Sequence, residues 1–317
     1  MRGWCIFKNN NMKNKTIWAI IGIVVLLGLL NYQSNPKATQ CSKWKIISYP
    51  YWTAPLTQFQ YDNFNIIFEF NIAPNSDGTL SYEAWDLADV RADVATAHAN
   101  NDLILLVIGG WGYGPGFAGA TTSAHRAAFV NNIANAVTAA GYDGISFDWE
   151  EDVNNANLVQ TIKDLRTKFN TMSPKPILLI DVCCDVTINS IAQIAPYVDS
   201  INTMDYETNV AGYYNELVNA GVPSNKIVNG LGFYAWVNSE ARARSEAQYV
   251  VDHNMQGIEV WDSSEFSTGD ARVYALNDVL GNGPACPISD SPFTTAKNTY
   301  LTGGTLTAFV SAANSWL

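Results

Sequence analysis

Short runs of apolar residues recur along the chain at fairly even intervals, and longer segments separate them. The separating segments, such as 124–140 and 157–169, repeat apolar residues every three or four positions, as amphipathic helices do. Eight alternations of strand and helix predict an α/β protein with a parallel (β/α)8 TIM barrel. An open doubly wound sheet is the alternative, but no glycine-rich dinucleotide loop follows the first run. The predicted strands are Lys45–Tyr49, Asn65–Phe70, Leu103–Ile108, Gly144–Trp149, Pro176–Val182, Ser200–Met204, Lys226–Leu231 and Gly257–Trp261.

A hydrophobic segment precedes the barrel pattern. Residues 17–30 carry no charge, and Lys13 and Lys15 stand just before them. A membrane span needs roughly 17–25 residues, and the apolar core of a signal peptide about 7–15. We favour an uncleaved signal anchor over a cleaved signal peptide, because 31–34 is a poor cleavage site; a buried core helix is a third alternative. The expected organisation is a basic stub at 1–16, a signal anchor or signal-peptide core at 17–32, a polar linker at 33–42 and the barrel at 43–317.

Charge is distributed unevenly along the chain. Residues 1–40 hold 5 basic side chains and no acidic one, whereas residues 41–317 hold 13 basic against 29 acidic side chains. An acidic body repels phosphate backbones, which excludes nucleic acid as a partner. A basic stub tends to stay in the cytoplasm. We therefore expect an exported monomer, extracellular or held at the membrane through its N-terminal segment if that segment is uncleaved.

The five cysteines and three histidines offer no metal-ligand spacing, so we expect neither a metal nor another cofactor. Cys41 and Cys286 lie near opposite ends of the barrel pattern, and we hypothesise a disulfide between them, since disulfides persist outside the cytoplasm. The adjacent Cys183 and Cys184 are expected to be buried packing rather than redox groups.

The fourth predicted strand carries the most informative polar pattern. Because side chains alternate along a strand, Ser146, Asp148 and Glu150 share one face, and Phe147 and Trp149 share the other. The polar face is expected to point into the barrel, with Glu150 at its mouth. Two carboxylates two residues apart, about 6.6 Å of rise, can share a proton, which raises one pKa and leaves a carboxylic acid near neutral pH. A purely structural polar cluster is the alternative.

Residues 143–150, DGISFDWE, resemble the DGxDxDxE motif of glycoside hydrolase family 18, the chitinases and their relatives. Other segments are similar to further strands of that family: IISYPYW at 46–52, IIFEF at 66–70, LLVIGGWG at 105–112 (the SxGG strand), SINTMDYE at 200–207 (the M-x-Tyr-Asp strand), VNGLGFY at 228–234 and GIEVW at 257–261. The resemblance covers about residues 43–265. It implies an endo-acting hydrolase of β-1,4-linked N-acetylglucosamine polymers, with chitin or chitooligosaccharides as the first candidates.

The resemblance also implies roles for individual residues. In this family the substrate's own N-acetyl oxygen is the nucleophile of a retaining reaction. Glu150 would protonate the glycosidic oxygen and later activate water, Asp148 would orient the acetamide, and Tyr206 would donate its hydroxyl to it. Trp261 would form the floor beneath the distorted sugar. Tyr49, Trp111, Met204 and Glu207 are the other expected substrate-binding residues, and Ser146 and Asp143 are the expected supporting residues.

The chain departs from the family pattern at several positions. Ser146 replaces the middle aspartate of the motif, and Val107 replaces the serine of SxGG, which in relatives stabilises that aspartate. Losing both together leaves no orphaned charge. Glu207 replaces the aspartate of the sixth strand. New acids stand in otherwise apolar strands; Glu259 could supply the missing inward charge, or these acids point towards helices or solvent. They are Glu69, Asp181 and Glu259.

The loops that follow the strands are expected to form a shallow and open groove. The segment 233–256 is too short for the additional domain that deepens the cleft of many chitinases, which favours internal cleavage. Residues 110–116 are too rich in glycine for a packed helix start and are expected to form a mobile substrate loop or a plain turn. The expected lining aromatic residues are Trp52, Trp111, Tyr113, Phe117, Tyr234 and Trp236. Two alternatives stay open: an endo-β-N-acetylglucosaminidase acting on glycans or peptidoglycan, and a non-catalytic lectin.

Overall fold

The apolar runs form the strands of a closed parallel barrel. The computed structural model describes residues 41–207, 210–234 and 239–287. Within them, eight parallel strands pair in chain order and β1 closes against β2, which confirms the predicted (β/α)8 barrel. The short β3 pairs antiparallel with the end of β2, outside the barrel. The strands are β1 Trp44–Pro50, β2 Ile66–Pro74, β3 Leu80–Tyr82, β4 Leu103–Gly109, β5 Gly144–Asp148, β6 Ile177–Val182, β7 Ser200–Thr203, β8 Ile227–Gly232 and β9 Gly257–Trp261.

Helices connect the strands and cover the outside of the barrel. Several begin at side-chain caps: the Asp86 carboxylate accepts the backbone N–H groups of Ala88 and Asp89, and Asn154 accepts that of Asn157. The helices are α1 Gln58–Asn63, α2 Leu87–Ala99, α3 Gly114–Ala120, α4 Arg126–Ala140, α5 Asn155–Phe169, α6 Ile188–Ile194, α7 Val210–Asn219, α8 Glu240–Asp252 and α9 Ala271–Leu280. A 3-10 turn, Ser224–Lys226, precedes β8.

Apolar side chains form two layers, one on the inner face and one on the outer face of the barrel strands. The inner layer fills the barrel and includes Ile46, Phe68 and Leu179. The outer layer lies between strands and helices and includes Phe147 and Trp149. The outward direction predicted for the apolar face of the fourth strand is therefore confirmed, and its polar face points into the barrel.

A disulfide joins the two ends of the described barrel. Cys41 and Cys286 are bonded, which confirms the hypothesised bridge over a separation of 245 residues. Backbone hydrogen bonds accompany it: Ser42 donates to Pro284 at 2.9 Å, and Cys286 donates to Ser42 at 2.9 Å. Because Cys41 precedes the first residue of β1, this closure lies at the amino-terminal end of the strands.

The basic stub, the signal anchor and all but the last two residues of the linker lie outside the described residues, as do Trp236 and 288–317. No helix in the part of the chain that the structure describes is long and apolar enough to cross a membrane.

Candidate active site

A cavity of about 430 Å³ opens at the carboxyl ends of the barrel strands. Six of the eight residues expected to act in catalysis or bind substrate line it, and half of its sixteen lining residues are aromatic. Its lining residues are Tyr51, Trp52, Phe70, Asn71, Ile72, Glu83, Gly109, Gly110, Trp111, Tyr113, Asp148, Glu150, Met204, Tyr206, Tyr234 and Trp261.

Glu150 stands at the mouth of the barrel, directly after the strand that carries Asp148. Its side chain is half-buried, and burial raises the pKa of its carboxyl to about 7, with further increases from the nearby carboxylates of Asp181 and Glu151. A backbone hydrogen bond from Trp111 acts in the opposite direction. A carboxylic acid that keeps its proton in about half of the molecules at pH 7 can donate it to a leaving group.

Asp148 lies two residues before Glu150 and deeper in the barrel, where its side chain is almost completely buried. Burial first, and then the carboxylates of Asp181, Glu150 and Glu259, raise the pKa of its carboxyl well above the ordinary value. Its Oδ1 atom has no hydrogen-bond partner among the described residues. Because a buried polar atom is costly without a partner, Oδ1 is available to a ligand group in the cavity.

The acid Asp181 joins this site from the neighbouring strand β6. It is buried, it is the register partner of Asp148, and the Ser146 hydroxyl donates to its Oδ2 atom at 2.5 Å. The Asn202 amide donates to its Oδ1 atom at 2.7 Å. Burial raises the pKa of Asp181 to about 6, and these two hydrogen bonds limit the rise. Sequence reasoning noted Asp181 as a new acid but placed neither it nor Asn202 in the site.

Glu259 also points into the barrel, which agrees with the alternative that it supplies an inward charge. It is completely buried on β9, and the Ser48 hydroxyl donates to it at 2.5 Å. Burial raises its pKa to about 8, while hydrogen bonds from Ser48, Tyr206 and Asn202 act in the opposite direction. Glu259 is therefore mostly neutral at pH 7.

Glu69 follows the other alternative and faces the helices. It is buried on β2, where its neighbours Phe68 and Phe70 belong to the inner apolar layer, so its own side chain points outwards. Burial and the carboxylate of Asp93 on α2 raise its pKa to about 8. Glu69 is consequently a buried acid outside the cavity.

Trp261 forms an aromatic wall at the end of β9. Its ring lies edge-on to Phe70, with centroids 5.2 Å apart, and 5.8 Å from the ring of Tyr206 at an angle of 30°. Trp52, 59% exposed, lies 6.4 Å away, and Trp111, 69% exposed, stands on the cavity rim. Large exposed aromatic rings beside a cavity are suited to stacking on flat apolar faces of a ligand.

Four expected site residues lie elsewhere. Tyr49 is buried in the outer layer, where its ring contacts that of Trp85 at 4.8 Å, because odd-numbered residues of β1 face the helices. Asp143 lies at the amino-terminal end of β5 and accepts the N–H of Ile104 at 2.9 Å. Glu207 is exposed in a smaller pocket beside Tyr206, and Ser146 lies beneath the cavity floor.

The glycine-rich segment 110–116 forms a turn at 111–112, which is one of the two expected alternatives, and then starts a helix, which was not expected from its glycine content. Helix α3 begins at Gly114, and Phe117, expected to line the groove, is completely buried and stacks on Trp149 at 5.2 Å. Close packing fixes the preceding turn: Gly109 has φ of +99°, and a Cβ there would lie 2.4 Å from the Asp148 carbonyl oxygen. The segment thus packs against the strand that bears Asp148.

Met204 separates the main cavity from a second one of about 560 Å³. Cys183 and Cys184 line this second cavity, and they are bonded to each other. The expectation of buried packing is wrong, since Cys183 is half-buried and Cys184 is exposed at the end of β6. The Cys183 sulfur, on the wall of the second cavity, lies 3.7 Å from the Glu150 carboxylate.

Comparisons with known proteins agree with this architecture. The model of glycosyl hydrolases family 18 matches residues 45–269. Chitinase 1 of Aphanocladium album is 26% identical over an alignment of 173 residues, and the match covers 42% of this chain and 41% of that protein. The chain therefore spans less than half of that relative's length.

Solved structures resemble the fold at low sequence identity. A chitinase from Rhizomucor miehei has a TM-score of 0.66 at 19% identity, covering 74% of this chain and 99% of its own. A class V chitinase from Nicotiana tobaccum in complex with NAG4 has a TM-score of 0.65 at 15% identity, covering 75% of this chain and 99% of its own.

Proposed function

Because the chain belongs to glycosyl hydrolases family 18, we propose that it hydrolyses β-1,4 linkages between N-acetylglucosamine units, with chitin or chitooligosaccharides as substrate. The observation that carries this proposal is the position of Glu150, a half-buried acid with a pKa of about 7, beside the buried Asp148 in an aromatic cavity. The names of the similar proteins give further support.

The reaction uses the acetamide oxygen of the substrate as nucleophile. Glu150 donates its proton to the glycosidic oxygen as the bond to the anomeric carbon breaks. Asp148 accepts the acetamide N–H and holds the acetamide oxygen towards that carbon, where it forms a cyclic oxazolinium. Glu150, now a carboxylate, then removes a proton from the water that opens the ring, so the anomeric configuration is retained.

Trp261 and Tyr206 define where the reacting sugar lies. Trp261 forms the floor under its ring, and the Tyr206 hydroxyl donates to the acetamide oxygen. Trp52 and Trp111 bind the sugars that precede it, and the cavity lined by Cys183 and Cys184 accepts the leaving-group side of the chain. The second cavity, which shares Met204 with the main one, supports cleavage within a polymer rather than at its end.

The test measures the release of oligosaccharides from chitin and from chitohexaose. Glu150→Gln keeps the shape of the side chain and removes its proton, so turnover should fall at least about 100-fold. Glu240→Gln, on the surface of α8, is the matched control and should keep full activity. Binding of chitohexaose without cleavage above the Glu150→Gln level identifies a lectin instead. Cleavage of glycoprotein glycans or peptidoglycan but not chitin identifies an endo-β-N-acetylglucosaminidase.

We also propose that the barrel is exported as a monomer by the hydrophobic segment at 17–32. The disulfide between Cys41 and Cys286 supports an oxidising compartment. N-terminal sequencing of the exported protein distinguishes an anchor, which is retained, from a signal peptide, which is removed. Light scattering after size-exclusion chromatography measures the oligomeric state.

A further inference from the structure

Two aspartates face each other across neighbouring strands at the base of the cavity. Asp148 on β5 and Asp181 on β6 are register partners, and both side chains point into the barrel, where each is 2% exposed. Residues paired in this way stand about 4.8 Å apart in the direction of the hydrogen bonds. Two buried carboxylates on directly paired positions do not ionise independently.

Neutral hydrogen-bond donors hold Asp181 in place. The hydroxyl of Ser146, one step below Asp148 on β5, reaches across to it, and Asn202 donates from β7 on the other side. Val107 pairs with Ser146 in the sheet and is apolar, so position 146 has no donor of its own from β4. The side chain at position 146 therefore acts as a donor to a carboxylate on the next strand.

We propose that Asp181 takes over, from β6, the part of the aspartate that the family motif places at position 146, as a positioning residue that governs the protonation of Asp148 and Glu150. This inference rests on the proposed function for its catalytic meaning. Compared with the family motif, the carboxylate stands on β6 instead of β5. Ser146, which donates a hydrogen bond to it, stands at the position of the motif's aspartate.

The surrounding charges favour Asp181 over Glu259 for this part. The groups that face Asp181 are Asp148 and Glu150 from the β5 side, Tyr206 after β7, and Glu259 on β9. With a pKa of about 6, Asp181 is mostly an anion at pH 7, whereas Glu259, with a pKa of about 8, is mostly neutral. The negative charge of Asp181 raises the pKa of both Asp148 and Glu150, which keeps the proton on this pair of carboxyl groups.

The test follows the Glu150 carboxyl directly, so that it does not depend on turnover. Carboxyl-labelled glutamate is titrated by ¹³C NMR in the folded protein, and Glu150→Gln assigns the resonance. Asp181→Asn removes the charge and keeps the shape, and should lower the pKa of Glu150 by about one unit. In an active enzyme the alkaline limb of the kcat/KM profile moves by the same amount towards acid. Glu69→Gln, which removes a buried acid on the outer face, leaves both unchanged.

A second variant returns the carboxylate to β5. In Ser146→Asp/Asp181→Ser the same hydroxyl–carboxylate pair is reversed, and the pKa of Glu150 should return to within about 0.3 units of the native value. An unchanged pKa of Glu150 in folded Asp181→Asn overturns the proposal. So does a folded double variant whose Glu150 pKa stays low. A native protein that cleaves no substrate refutes the proposed function alone, because the titration still decides the inference.

Discussion

The backbone N–H of Gly112 donates to the Glu151 carboxylate at 2.6 Å. This bond ties the turn that presents Trp111 on the cavity rim to the residue directly after Glu150. A hydrogen bond therefore links the segment that carries the exposed Trp111 ring to the segment that carries Glu150, although the two segments follow different strands. In the proposed function, a sugar that stacks on Trp111 therefore contacts a segment that is hydrogen-bonded to the segment of Glu150.

Glu151→Ala should weaken substrate binding through Trp111. Losing a charge-assisted hydrogen bond at a partly exposed site releases the turn, and we expect KM for chitohexaose to rise about 5-fold with a smaller change in kcat. Initial-rate kinetics measure this. If the effect runs through Trp111, Glu151→Ala adds nothing to Trp111→Ala in the double variant; additive increases in KM contradict it.

Activity should fall as pH rises through about 7. Glu150 donates a proton only in its neutral form, and its pKa of about 7 means that half of the molecules have lost this proton there. The kcat/KM profile on chitotetraose, measured from pH 4 to 9, should show this alkaline limb. A profile that stays flat up to pH 9 argues against Glu150 as the proton donor.

Folding stability should decrease from pH 5 to pH 8. Glu69 and Glu259 have folded-state pKa values of about 8, above their ordinary values, so the folded chain binds more protons than the unfolded chain in this range. Their contribution is fully present at acidic pH and is lost as pH rises through 8, at about 1.4 kcal/mol per pH unit for each group. Urea unfolding at several pH values measures the slope.

Glu69→Gln isolates the share of one of these groups. The amide does not titrate, so the free energy of unfolding should decline less steeply between pH 5 and 8. The slope should decrease by the contribution of one titrating group, about 1.4 kcal/mol per pH unit. An unaltered slope means that Glu69 is not protonated in the folded barrel.

Removing the disulfide at the amino-terminal end should cost stability but not catalysis. Cys41→Ser/Cys286→Ser opens a loop of 245 residues, and we expect unfolding to become easier by about 2–5 kcal/mol. Because the bond lies at the end of the barrel opposite Glu150, kcat and KM below the unfolding temperature should stay within about twofold. A large loss of kcat in the folded variant contradicts this separation.

The strands and the face of Glu150 were predictable because polar and apolar residues alternate clearly along β5. On β1 and β6 both faces are largely apolar, so alternation gives no direction. The prediction that Tyr49 binds substrate is therefore wrong, and the sequence leaves both directions open for Asp181. Ser48 was the available signal on β1, since a lone hydroxyl in an apolar strand needs a buried partner. The disulfide between Cys183 and Cys184 could not be predicted from sequence spacing, because two adjacent cysteines do not indicate by their spacing whether they are bonded to each other.

The disulfide between Cys41 and Cys286 holds both ends of the described barrel on the same face. Both points at which the described chain continues, before 41 and after 287, lie at the face opposite the cavity. A support attached directly at residue 41 or 287 therefore faces the bottom of the barrel. The mouth then opens away from that support, which leaves it accessible to the polymer of the proposed function.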